Sequence, residues 1–66
     1  MQPPQQRVVD EKQELDEKIG KLMPFLMTSI FENLDEAEQE RMIRQLHLMS
    51  GYSEVLGERI AAFPTV

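Results

Sequence analysis

Tyr52 and Arg59 are the two side chains whose types and spacing best suit binding chemistry. They are seven residues apart, so a helix places them on one face with Val55 between them. A ring and a guanidinium group on one face can stack on and pair with an anionic ligand. The same pair is also typical of a subunit contact, in which Arg59 meets an acid such as Glu58 of another copy. From the residues alone, the subunit contact is favoured.

The other ionisable residues do not indicate catalysis or metal binding. His47 is the only histidine and there is no cysteine, so it has no second histidine or thiolate with which to share a metal. The acids of the N-terminal half alternate with lysines, a pattern typical of a solvated helix face. No glycine-rich phosphate loop, zinc spacing or Ser/His/Asp arrangement is present. We therefore predict a protein that is not an enzyme and uses no cofactor.

Length and charge restrict the class of protein further. A chain of 66 residues forms one small domain with little core, and without cysteine its expected additional support is self-association. A net charge of −5 argues against DNA or RNA polymers as partners. The longest uncharged run, 22–31, contains Pro24 and is too short to cross a membrane. The N-terminus lacks the apolar core of a signal peptide, so we expect a cytoplasmic protein.

The first helix is predicted from an apolar seam that follows a loose, extended N-terminal arm at residues 1–6. The helical pattern begins at Arg7, and its seam positions alternate four and three apart, with Lys12 as the polar exception: 8, 12, 15, 19, 22 and 26. Glu14 and Glu17 each precede a lysine by four residues, and their ion pairs with Lys18 and Lys21 are expected to stabilise this helix. Pro24, one turn after Gly20, predicts a kink or break near residues 20–24.

The second long helix is predicted from Glu36 to about Ala62. Asp35 is the expected N-cap because Glu38 follows it by three residues, and a short helical turn at 28–33 precedes it. The seam is apolar except for Ser53: 42, 46, 49, 53, 56, 60 and 63. Its register is unchanged across Gly51, which predicts a continuous helix. Leu48, Tyr52, Val55 and Arg59 form a second stripe beside the seam, and small residues including Gly57 form a third.

These elements predict an all-α fold with a kinked first helix and a long second helix in an antiparallel hairpin. The expected boundaries are an arm at 1–6, the hairpin at 7–63 and a tail at 64–66. One partner helix cannot cover every stripe of the second helix. We therefore expect homo-oligomerisation to complete the core.

Three stretches of the sequence resemble a family of very small tailed-phage proteins that includes the anti-CBASS cyclic-oligonucleotide sponges. They are QQRVVDEKQELDEKIGKL (5–22), FENLDEAEQERMIRQL (31–46) and LMSGYSEVLGERIAAF (48–63). The resemblance implies helical protomers that interlock as a hexamer. It also implies sequestration of cyclic di- and trinucleotide signals, without cleavage, in the cytoplasm of the infected bacterium.

The resemblance also implies which residues contact the ligand. The family's first-helix lysine maps onto Lys21 or Lys18, and its C-terminal arginine maps onto Arg59. The family's N-terminal aromatic is absent, since Pro4 and glutamines stand in that region, so the trinucleotide site near Arg59 is the stronger expectation. The full set of candidate ligand-binding residues is Lys21, Lys18, Arg59, Tyr52, Gly57 and Arg7.

A second interpretation uses the same stripes without a nucleotide. In it, the helical hairpin docks an amphipathic face onto a host or phage protein. A sponge is expected to be a closed oligomer that cyclic oligonucleotides stabilise, whereas a docking module is expected to be unaffected by nucleotide.

Overall fold

The computed structural model describes residues 3–64 and contains three helices. They are α1 (Pro3–Phe25), α2 (Ser29–Glu32) and α3 (Glu36–Ala61). The long helices α1 and α3 pack together lengthwise in a body 51 Å long and about 15 Å across. The described residues form no strand. The predicted all-α fold with a long helix pair is therefore confirmed.

The start of α1 differs from the predicted extended arm. The helix already includes Pro3 and Pro4, so residues 3–6 form its first turn. The first four amide groups of a helix have no intrahelical acceptor, and a proline there loses no hydrogen bond while its fixed φ suits the helix. The prediction of an arm was wrong for these residues, and residues 1 and 2 lie outside the described part.

A break in the helix near residues 20–24 does not occur, whereas the expected kink in α1 stays a prediction. The helix α1 continues through Gly20 and includes Pro24 in its last turn. It ends at Phe25, where the amide of Leu26 bonds to the carbonyl oxygens of Leu22 and Met23 at 3.3 and 3.2 Å. Because Pro24 lacks only one amide hydrogen, the turn that contains it still forms, and the chain leaves the helix directly after it.

The short helix α2 closes the end of the hairpin. Its N-cap is Thr28, since Thr28 Oγ1 accepts a hydrogen bond from the amide of Phe31 at 3.2 Å. Phe31 is buried and packs edge-on against Phe25, with 6.3 Å between ring centroids. Gln39 Nε2 donates to the carbonyl oxygens of Phe31, Glu32 and Leu34, which ties α3 to this turn.

Helix α3 follows the sequence prediction closely. Asp35 is its N-cap, with Oδ1 accepting from the amide of Glu38 at 2.7 Å. The helix is continuous through Gly51 and ends at Ala61, one residue before the predicted end. Acids in the first turn and Arg59 in the last turn complement the helix dipole.

The core of the described chain is small. Its buried residues are Val8, Phe31, Ser53 and Leu56, of which Leu56 is 0% exposed. Large apolar side chains remain exposed at both the α2 end and the middle of α3: Met23, Met27, Ile30, Ile43, Leu48, Tyr52 and Val55. The expectation that further copies complete the core stays a prediction.

Candidate ligand-binding residues

A polar cluster of three side chains joins α1 to α3 at the centre of their contact. Lys12 Nζ donates to Ser53 Oγ and to Asp16 Oδ2, each at 2.9 Å. The Ser53 hydroxyl in turn donates to Asp16 Oδ1. Ser53 is buried, and these two hydrogen bonds satisfy its hydroxyl inside the hairpin, as a buried polar group requires. The two polar exceptions in the predicted seams, Lys12 and Ser53, thus bind one another.

The lysine and the serine also affect the acidity of Asp16. The Lys12 ammonium, and after it the Ser53 hydroxyl, hydrogen-bond to the carboxylate and hold the pKa of Asp16 below its ordinary value of 3.8. Hydrogen bonds to the charged form favour that form. The cluster consequently keeps a carboxylate and an ammonium paired at neutral pH, and it leaves Lys12 committed to partners of its own chain.

Gly57 makes room for this cluster. A Cβ atom at Gly57 would lie 3.3 Å from Cε of Lys12, which is closer than ordinary van der Waals contact. The close approach at Gly57 therefore occurs within the hairpin, between α3 and the Lys12 stem. The predicted role of Gly57 in a ligand site stays a prediction.

A shallow groove of about 420 Å³ runs beside the cluster. Its lining consists of Val9, Lys12, Gln13, Asp16, Glu17 and Ile60. The one cation in this lining is Lys12, which is already paired, while two acids contribute negative charge. A polyanionic ligand is therefore disfavoured here by like-charge repulsion.

The predicted cations lie in two separate regions of the hairpin. Arg7 and Arg59 share one end, because Val9 and Ile60, close to them in sequence, line the same groove. Lys18 and Lys21 are 11 and 14 residues beyond Arg7 on α1, about 16 and 21 Å away at a rise of 1.5 Å per residue. One protomer thus does not bring all four cations to a single point.

These four cations are exposed and free of ion pairs within residues 3–64. The expected pairs from Glu14 to Lys18 and from Glu17 to Lys21 do not form there. Both lysine side chains project into solvent, where an i,i+4 pair contributes only a few tenths of a kcal/mol. The four charges are therefore available to a ligand or to another copy.

Tyr52 is 46% exposed on the outer side of α3, in line with Leu48 and Val55. It lies about 10 Å along the helix from Arg59, at seven residues and 1.5 Å each. A single flat ligand on this face would have to bridge two helical turns to contact both side chains.

Sequence reasoning missed the arginines of the first half of α3. Arg41 and Arg44 line a depression of about 330 Å³ together with Ala37 and Glu40. Arg41 Nε donates to Glu38 Oε1 at 2.8 Å, whereas Arg44 has no ion pair among the described residues. The i,i+3 spacing of the two arginines was the signal that could have identified them.

Two further findings limit the chemistry of the described chain. Within residues 3–64, no group of three or more His, Asp or Glu side chains has an arrangement that could hold a metal ion. Neither long helix combines the length and apolar character needed to span a bilayer, as far as the described residues go.

Comparison with known proteins places the chain in a family. The sequence profile of the Sequestin family matches residues 2–62. The chain belongs to the Sequestin family. The chain is also 39% identical, over 59 residues, to an uncharacterised 7.5 kDa protein from the denB–rIIB intergenic region of Enterobacteria phage T4. The alignment covers 89% of this chain and 92% of the relative. No solved structure matches significantly.

The predicted resemblance to a small phage protein family is thereby confirmed. The family name denotes sequestration of a ligand, which is binding rather than catalysis.

Proposed function

We propose that this chain is a phage anti-immune protein that sequesters cyclic oligonucleotide second messengers without cleaving them. Its primary ligand is a cyclic trinucleotide bound near Arg59, and cyclic dinucleotides are the second ligand class. It acts in the cytoplasm of the infected bacterium. Family membership supports sequestration, and the resemblance of the three quoted stretches supports the ligand class.

The observation that carries the proposal is a set of exposed cations that form no ion pair within residues 3–64, on a protein whose net charge is negative. Arg7 and Arg59 share one end of the hairpin, and Lys18 and Lys21 lie further along α1. Guanidinium and ammonium groups without internal partners are the groups that bind phosphates. A cyclic oligonucleotide carries one phosphate for each nucleotide, so it needs several such groups around one small ring.

Self-association supplies the required number of cations. One protomer offers two arginines at one end and two lysines about 16–21 Å away, at 1.5 Å per residue of α1. A closed symmetric oligomer, for which we propose a hexamer, repeats each cation around its axis. A locally positive pocket then forms although each chain has a net charge of −5.

The test compares two variants that remove the same charge from the two regions. Arg59→Gln is expected to abolish the thermal stabilisation by cyclic tri-adenylate and to preserve that by a cyclic dinucleotide. Lys21→Gln is expected to do the reverse, so each variant is the control for the other. For the wild type, ligand at 100 times its Kd stabilises the fold by about 2.7 kcal/mol. If neither cyclic tri-adenylate nor the cyclic dinucleotide stabilises the wild type, the proposal is rejected.

A second candidate is a helical module that docks onto a host or phage protein. The exposed apolar side chains at the α2 end favour it: Met23, Met27 and Ile30 are 55%, 88% and 64% exposed. Methionines adapt to varied protein surfaces. This candidate predicts a melting temperature that cyclic oligonucleotides leave unchanged.

A further inference from the structure

The outer side of α3 carries a stripe that no other element of the described chain covers. It consists of Gln45, Leu48, Tyr52 and Val55, which alternate three and four residues apart. All four are exposed, and Leu48, Tyr52 and Val55 are 68%, 46% and 49% exposed. We call these four residues the outer stripe. Its spacing is that of the a and d positions through which one helix packs on another.

We propose that the outer stripe packs against the outer stripe of a second copy, with the two α3 helices antiparallel about a twofold axis near Gly51. Leu48 then lies against Tyr52 of the second copy, and Gln45 against Val55 of the second copy. Each contact occurs twice, as in any isologous interface. The apolar centre of the stripe is thereby removed from water, while Gln45 of each copy remains at the rim.

The charges beside the outer stripe select the antiparallel orientation. Arg44, Gly51 and Glu58 are seven residues apart and form one flank of the stripe. In an antiparallel pair, like flanks face each other. Arg44 of each copy therefore meets Glu58 of the other, and the ion pair forms twice.

A parallel pair lacks this complementarity. There, each flank position faces the residue five positions later on the other helix. For Arg44 that residue is Met49, and for Glu58 it is Phe63, so neither charge finds an opposite one. Arg44 has no ion pair within the described residues of its own chain and is available to the second copy.

Gly51 gives the two helices room at the axis. Apart from the adjacent residues and the backbone of α3 itself, no atom lies within 4 Å of the position that a Cβ of Gly51 would occupy. In the antiparallel pair, Gly51 faces Gly51 of the second copy, and two residues without side chains let the backbones approach closely. A helix-destabilising residue in the middle of a 26-residue helix thus receives a packing role.

The inference rests on the self-association in the proposed function and is independent of the ligand. Disulfide trapping in the absence of nucleotide therefore tests the contact between the outer stripes separately from ligand binding. The natural chain has no cysteine, so introduced thiols react only with each other. The double variant Gln45→Cys/Val55→Cys is oxidised, and the products are separated by non-reducing electrophoresis.

The antiparallel pair predicts a covalent dimer for the double variant and none for either single variant. Two copies of position 45, or of position 55, are then ten residues apart along the pair, about 15 Å. A disulfide requires Cα atoms within about 7 Å. His47→Cys/Glu54→Cys carries two exposed thiols away from the outer stripe and is expected to remain uncrosslinked. Efficient crosslinking of either single variant would indicate parallel helices and overturn the proposal.

Charge reversal provides a second measurement. The Arg44→Glu variant is expected to form an assembly of lower mass in solution than the wild type does. The double variant Arg44→Glu/Glu58→Arg is expected to regain the wild-type mass. An unchanged mass for Arg44→Glu, or no crosslink in the double-cysteine variant, would overturn the proposal and leave the outer stripe for a different protein.

Discussion

Lys12 Nζ lies 2.9 Å from Ser53 Oγ, which joins the one polar position in the α1 seam to the one polar position in the α3 seam. No other seam position could offer Lys12 or Ser53 a polar partner on the facing helix, because every other seam position on both helices is apolar. Sliding one helix along the other would separate the buried Ser53 hydroxyl from both of its partners on α1, which is unfavourable. The cluster therefore specifies the register of the hairpin.

Replacing the serine is expected to destabilise the hairpin. Ser53→Ala removes the acceptor of the Lys12 bond and the donor of the Asp16 bond, for an expected loss of about 1 kcal/mol in the free energy of unfolding. Urea denaturation gives this value. Ser50→Ala, at an exposed position of the same helix, is the matched control and is expected to change stability little. Equal effects of the two substitutions would contradict the role of the cluster.

The cluster also predicts an acid dependence of stability. Because the pKa of Asp16 is lower in the folded chain than its ordinary value of 3.8, its carboxylate stabilises the fold above that value. This stabilisation is lost as the pH falls through the folded-state pKa.

Asp16→Asn is expected to lower the melting temperature at pH 7 and to flatten the decline below about pH 4. Glu14→Gln, at an exposed site without hydrogen bonds in the described chain, is the control. Melting curves from pH 2 to 7 that fall in parallel for Asp16→Asn and wild type would contradict this assignment.

Gly20 and Gly57 are expected to respond differently to substitution by alanine. At Gly20 an added Cβ would have no atom within 4 Å apart from the adjacent residues and the backbone of α1 itself, so Gly20→Ala is expected to stabilise the exposed helix by up to about 1 kcal/mol. At Gly57 the added Cβ would lie 3.3 Å from Lys12 Cε and displace the lysine, which offsets that gain. Thermal melting of both variants tests the contrast. A larger gain for Gly57→Ala than for Gly20→Ala would show that Lys12 does not depend on Gly57.

The apolar core is small enough for one residue to dominate it. Leu56 is 0% exposed, and Leu56→Ala is expected to lower the free energy of unfolding by about 2–5 kcal/mol. Met27→Ala, at a side chain that is 88% exposed, is expected to stay within about 0.5 kcal/mol of wild type. Chemical denaturation of the two variants checks the difference, and similar losses would place the core elsewhere.

Much of the fold followed from local sequence signals. The Asp35 cap, the continuity of α3 through Gly51 and the hairpin seams were predictable because each depends on neighbours in sequence. The first turn of α1 was not, since a Pro-Pro pair suits both an extended arm and a helix start. The end of α1 was not predicted correctly, because the sequence does not show how many backbone hydrogen bonds of the turn that contains Pro24 still form.

The site was less predictable than the fold. Lys12 and Ser53 were noticed as exceptions in their seams, but their mutual bond depends on the relative register of two helices 41 residues apart in sequence. Arg41 and Arg44 were overlooked because two arginines on an exposed helix face are also common as solvated charges. Which cations converge on a ligand depends on how copies assemble, and one chain's sequence encodes this only indirectly.

The most direct test of sequestration is a calorimetric titration of the wild-type oligomer with cyclic tri-adenylate. The complex is then heated to release the bound ligand, and the ligand is analysed by chromatography. We expect saturable binding by a protein of oligomeric mass and full recovery of the intact cyclic trinucleotide. Recovery of linear or shortened products would contradict sequestration without cleavage. The absence of any binding heat by a well-formed oligomer, across several temperatures, would contradict the proposed ligand class itself.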